Sequence, residues 1–164
     1  MDEPMMNSNE TSTPIIKVVV LEDNEFYNKL LSKKLHACIE QIEMELACTV
    51  DLISFTSVDD LLTNLETIQQ IDVAFIDYYL GDQLSGLDMM KTILNYHPQC
   101  SVVVFSRSQN KMIEQDNLNN GALEFIQKDR KALKKLVNIF EDLVFKIFIN
   151  KQIRPGKQFG FHLN

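Results

Sequence analysis

Five short apolar runs alternate along the chain with five stretches whose apolar residues recur at three- and four-residue spacing. Ile15 to Leu21 (IIKVVVL) is β-branched and reads as a first strand, ending in Glu22-Asp23-Asn24. Phe26, Leu30, Leu31, Leu35, Cys38, Ile39, Ile42 and Leu46 then mark one face of a helix that runs to about Glu45. Thr49 to Phe55 (TVDLISF) is a second strand. Ser57, with Asp60 three residues on, caps a short helix whose inner face is Leu61, Leu62, Leu65 and Ile68. Ile71 and Val73 to Ile76 form a third strand with no polar side, as expected of a strand buried on both faces of a parallel sheet. Asp77 ends it, and Gly81, Asp82, Ser85 and Gly86 are turn residues.

The second half repeats the alternation. Ser85 and Asp88 make another capping pair before Leu87, Met90, Ile93 and Leu94, and that helix stops ahead of Pro98. Ser101 to Phe105 (SVVVF) is a fourth strand, closed by Ser106. Lys111 to Leu118 is a helix with a poor apolar stripe, ended by Asn119-Asn120-Gly121. Leu123 to Gln127 is a short fifth strand that ends at Lys128. Asp129 caps a last helix from Arg130 to about Asn150, striped by Leu133, Leu136, Val137, Phe140, Leu143, Val144, Ile147 and Phe148.

Strand–helix units repeated five times predict an α/β fold: a five-stranded parallel sheet with helices on both faces. The expected domain is 15–150. Residues 1–14 read as a flexible N-terminal tail, and 151–164 as a C-terminal tail that leaves the fold, with no separate effector domain.

Composition narrows the function classes. A net charge of −7 argues against a dedicated nucleic-acid binder. No apolar run approaches a membrane span, and the polar N-terminus is not a signal peptide. Cys38, Cys48 and Cys100 show no metal or redox spacing and read as reduced, buried thiols of a cytoplasmic protein. His36, His97 and His162 have no partner pattern, so the chain is not a histidine phosphotransfer module. Residues 128–164 carry nine Lys/Arg against three Asp/Glu, a basic end on an acidic body.

In a parallel sheet all strands end on one side, where such folds place their ligands. That side would collect Glu22, Asp23, Asp77, Ser106 and Lys128. Close carboxylates raise one another's pKa and attract a cation. Oxygen ligands without His or Cys suit Mg2+. A lysine amine opposite supplies a charge for a phosphoryl oxygen, and a carboxylate can itself be the nucleophile that takes that group.

The order Glu-Asp, Asp, Ser, Lys at successive strand ends resembles the receiver domain of two-component response regulators, the CheY-like family, over about residues 15–150. The resemblance implies the sheet order 2-1-3-4-5, that of the chemotaxis receiver itself. It implies that Asp77 accepts a phosphoryl group from a sensor histidine kinase or a histidine phosphotransfer protein. Asp23 would be a direct Mg2+ ligand, with Asp77 and the Tyr79 backbone carbonyl, and Glu22 the outer acidic partner. Lys128 would pair with Asp77 and then with the phosphoryl group, Ser106 would take that group's oxygen, and Phe125 would be the switch aromatic. Such a protein is not a turnover enzyme; at most it phosphorylates and dephosphorylates itself slowly. Its output would pass to a downstream protein target, without direct DNA binding or membrane contact.

The sequence departs from the family at several places. Asp129 stands where Pro usually follows the lysine, and a cis peptide there would cost about 3 kcal/mol. Arg107 replaces a small residue; with Tyr79 and Ser108 it is a candidate modulator of access to the phosphoryl group. Gly81-Asp82 replaces Leu-Pro, and the loop reaches Gly86 one residue late. Phe145 and Ile149 lie off the core stripe of the last helix and form an apolar spot suited to a homodimer, another partner, or the basic tail. The alternative reading is a docking module of receiver fold that works without phosphorylation.

Overall fold

The computed structural model describes residues 13–81 and 84–153. Strands β1 (Ile15–Leu21), β2 (Thr49–Phe55), β3 (Val73–Asp77), β4 (Ser101–Ser106) and β5 (Glu124–Gln127) form one parallel sheet in the order 2-1-3-4-5. Between them run α1 (Glu25–Glu45), α2 (Val58–Leu65), α3 (Gly86–Tyr96) and α4 (Lys111–Asn119), and α5 (Ala132–Ile153) closes the series.

Alternation along the strands divides the interior into two layers. Val18, Val20, Phe75, Val103 and Phe105 point to the side covered by α1 and α5, where they meet Leu31, Leu35, Leu136 and Phe140. Phe75 and Phe140 bring their rings to 6.4 Å between centroids. Val19, Leu21, Ala74, Ile76 and Val104 point to the other side and meet Leu61, Leu65, Met89, Met90 and Ile93 of α2 and α3. Every residue of β3 is buried, which is why its sequence shows no alternation.

Polar residues set where the helices start. Asn24 accepts from the Tyr27 N–H at the head of α1, Ser57 from the Asp60 N–H at α2, and Asn110 from the Met112 N–H at α4. Ser85 and Asp88 form a full capping box at α3.

β5 begins one residue later than expected, at Glu124, and α4 ends one residue later, at Asn119; three other boundaries also differ from the sequence expectation. β3 begins at Val73, with Ile71 buried ahead of it. α5 begins two residues after Arg130, because Asp129 spends its carboxylate on the Lys131 N–H and shapes a turn leading into the helix. α5 also continues past Asn150 to Ile153. Its last turn is held: Lys151 Nζ donates to the Ile15 carbonyl at 2.7 Å and to Asp72 Oδ2 at 3.0 Å. The same buried carboxylate accepts from the Lys17 N–H and from Gln70 Nε2. Among the described residues no peptide bond is cis, so Lys128–Asp129 is trans. The three cysteines are free and buried. His36 is exposed, His97 is buried as the C-cap of α3, and His162 lies outside the described residues. Among the described residues no helix is long and apolar enough to cross a membrane.

Candidate functional site

The register decides which side chains meet. Leu21 pairs with Ile76, Asp77 with Phe105 and Ser106 with Gln127, so Glu22, Asp77, Ser106 and Lys128 all leave the sheet at one edge. Lys128 is drawn inward there. Its N–H donates to the Ser106 carbonyl at 2.7 Å, and its ammonium donates to Asp77 Oδ2 at 2.7 Å and to Glu22 Oε2 at 2.5 Å. The Lys128 side chain is only 4% exposed. In so enclosed a place a charge needs partners, and the lysine and the two acids supply one another.

The charges do not balance. One ammonium faces two buried carboxylates, and Asp23 adds a third at the solvent side. One oxygen from each of Glu22, Asp23 and Asp77 can lie within 4.8 Å of the others. Burial pushes the Glu22 carboxyl above the ordinary range and the Asp77 charge adds to this, while Lys128 and the Asn24 N–H pull it back. Excess negative charge on hard oxygen ligands, open on one side, fits a divalent cation such as Mg2+.

The loop after β3 is shaped by one close approach. The Gly86 N–H donates to the Tyr78 carbonyl at 2.7 Å, and a Cβ at Gly86 would stand 2.4 Å from the Asp77 carbonyl oxygen. The head of α3 can therefore sit against the backbone of Asp77 only without a side chain at that position. Gly81 turns the same loop with φ of +80°. Tyr79, 52% exposed, sends its N–H toward Asp77 Oδ1 at 3.4 Å and packs edge-on against the Tyr78 ring.

The other expected residues lie at the end of β4 and in the loop after it, on β5 and on α5. Ser106 is buried, and its hydroxyl accepts from the Ser108 N–H at 3.0 Å. Ser108 in turn accepts from the Asn110 N–H, which ties the loop to the head of α4. Arg107 is exposed between them. Phe125 is half-buried on β5, against the layer shared with α2 and α3. Phe145 and Ile149 are exposed on α5, far along the chain from these strand ends.

Two features were not expected. Lys128 binds Glu22 as well as Asp77, which gives Glu22 a direct part in holding the ammonium. Tyr27 and Phe105 present their rings to that ammonium at 4.6 and 4.9 Å. A tyrosine in the first turn after the acidic pair was the available signal for the former. Phe105 looked like any other core residue of its strand.

A family profile described as the response regulator receiver domain matches residues 18–141, and the chain belongs to that family. No curated protein matches it. Solved structures give the same fold. A response regulator from Thermotoga maritima is 20% identical with a TM-score of 0.62, over 81% of this chain and 98% of that one. The signal receiver domain of a DNA-binding response regulator from Colwellia psychrerythraea 34H is 14% identical with a TM-score of 0.66, over 79% and 98%. A response regulator from Burkholderia pseudomallei, solved with a phosphorylated aspartic acid, calcium ion and citrate, is 15% identical with a TM-score of 0.61, over 85% and 75%.

Proposed function

We propose that the protein accepts a phosphoryl group on Asp77 from the phosphohistidine of a sensor kinase or phosphotransfer protein and signals the change by protein contact. The observation that supports this most directly is the enclosed Lys128 ammonium bridging Asp77 and Glu22 beside Asp23. A carboxylate oxygen of Asp77 attacks phosphorus, the phosphorus–nitrogen bond breaks, and its electron pair stays on the imidazole, which takes a proton from solvent. Lys128 pairs with Asp77 and orients it, and afterwards neutralises an oxygen of the transferred group. Asp23 and Asp77, with the Tyr79 carbonyl and Glu22 behind them, would hold Mg2+. The ion would supply charge neutralisation to the phosphoryl oxygens.

Ser106 would donate its hydroxyl hydrogen to a phosphoryl oxygen while still accepting the Ser108 N–H, and Phe125 would respond as the switch aromatic. A shift there biases the surface of α4, β5 and α5 that a downstream protein reads. Arg107, Tyr79 and Ser108 flank the approach and set how readily water reaches the group.

Acetyl phosphate with Mg2+ and intact-mass readout tests the proposal. A Mg2+-dependent phosphoryl adduct is expected on the wild type and absent from Asp77→Asn. A folded wild type that neither takes the group nor binds Mg2+ would overturn it in favour of a docking module that works unphosphorylated.

A further inference from the structure

The Lys128 ammonium lies against two aromatic rings as well as two carboxylates. The Tyr27 and Phe105 rings stack at 6.0 Å with 24° between their planes, and both offer themselves to the same Nζ. Phe105 is the register partner of Asp77 across the β3–β4 ladder. Tyr27 comes from the first turn of α1, which follows directly on Glu22 and Asp23. Its ring is thus packed against the ammonium that Asp77 itself holds.

The Tyr27 hydroxyl has no such company. It is enclosed and, among the described residues, has no hydrogen-bond partner. Burial first, then the charges of Glu22, Asp77 and Asp129, push its pKa up to about 12, with Arg107 acting in the opposite direction. The phenol therefore stays protonated at neutral pH and remains a donor. The Ser106 hydroxyl, at the same edge, accepts a backbone N–H and keeps its own hydrogen for a further acceptor. A phosphoryl group on Asp77 would bring strong anionic acceptors to the ammonium against which the Tyr27 ring is packed.

We propose that Tyr27 is a further phosphoryl-binding residue: its hydroxyl donates a hydrogen bond to an oxygen of the group carried on Asp77. This rests on the reading of Asp77 given above. The ring packs on Phe105 and on the Lys128 ammonium, which restricts the side chain before the group arrives.

Tyr27→Phe keeps the ring and removes only the hydroxyl. Beryllofluoride serves as a stable phosphoryl mimic, and its binding in the presence of Mg2+ is measured by calorimetry on wild type and Tyr27→Phe. The expected result is about a tenfold weaker affinity for the mimic, as for one lost charge-assisted hydrogen bond. Mg2+ binding alone should be unchanged, and the unliganded variant should melt at or above the wild-type temperature, because an unpartnered hydroxyl has been removed. Equal affinity for the mimic, or a lower melting temperature of the unliganded variant, would overturn the assignment. A wild type that takes neither beryllofluoride nor acetyl phosphate would overturn the reading of Asp77 and this one with it. A wild type that takes both, beside an indistinguishable Tyr27→Phe, would sink only the role of Tyr27.

Discussion

The two ends of the sheet each hold a buried aspartate bound to a lysine, and the two arrangements are built to opposite effect. At the amino end Asp72 accepts from Lys17 N–H, Gln70 Nε2 and Lys151 Nζ. One negative charge meets one positive charge and two neutral donors, and it is satisfied. At the carboxyl end Lys128 serves both Asp77 and Glu22, with Asp23 beside them. There the acids outnumber the cation and the site remains short of positive charge. Strand-end aspartates look alike in the sequence, and what separates them is how many donors the surrounding backbone brings. A carboxylate with all its partners holds the fold together, whereas one that shares its partner is available for chemistry.

Removing the two lysines should separate the ends most clearly. Lys128→Met strands two buried carboxylates and should cost about 3–5 kcal/mol at neutral pH, as an uncompensated buried charge does. Lys151, 26% exposed, leaves behind an Asp72 that keeps two other donors. Lys151→Met should cost only about 1 kcal/mol. Urea unfolding of both variants measures this, and equal losses would break the comparison.

Asn substitutions should then differ in sign. Asp72→Asn weakens three hydrogen bonds to a charged acceptor and should destabilise by about 2–3 kcal/mol. Asp77→Asn removes a repulsion from Glu22 and leaves Lys128 its second partner, so it should be neutral or stabilising by about 1 kcal/mol, as expected when one of two crowded like charges is removed. A destabilised Asp77→Asn would mean that the carboxyl end is balanced after all.

The smallest effect concerns pH. The folded state holds the Glu22 carboxyl above its ordinary value of 4.5. Stability from this group is therefore fully present below the unfolded pKa and is lost as pH rises through the folded one. Melting curves of wild type and Glu22→Gln between pH 4 and 7 should show the wild type losing ground to the variant as pH rises. The opposite trend would show that Lys128 outweighs burial.

Much of this was legible in the sequence. The strands of the sheet interior announce themselves as unbroken apolar runs, and the acids, Ser106 and Lys128 stand immediately after such runs, so their convergence follows from parallel topology alone. What the sequence concealed depends on side-chain reach. Asp72 reads as a stray polar residue in an apolar strand until the backbone of Lys17 and the end of α5 come to it. The extension of α5 to Ile153 is invisible where the apolar stripe fades, because it is held by one ammonium rather than by packing. Tyr27 looks like an ordinary member of an amphipathic helix. Gly86 reads as a turn residue, and only the proximity of the Asp77 backbone shows that a side chain there is impossible.

The bond between Lys128 and Glu22 spans 106 residues of chain, and that between Lys151 and Ile15 spans 136. During synthesis Asp77 leaves the ribosome long before Lys128, and Lys128 well before the turn of α5 that fastens the last helix to the first strand. A nascent chain therefore exposes its acids with no ammonium to gather them, and contacts of such separation form late in folding. The charge cluster at the carboxyl edge is thus completed only toward the end of the domain's own assembly. If Asp77 takes a phosphoryl group as proposed, a truncated or stalled product would lack the ammonium that completes its site.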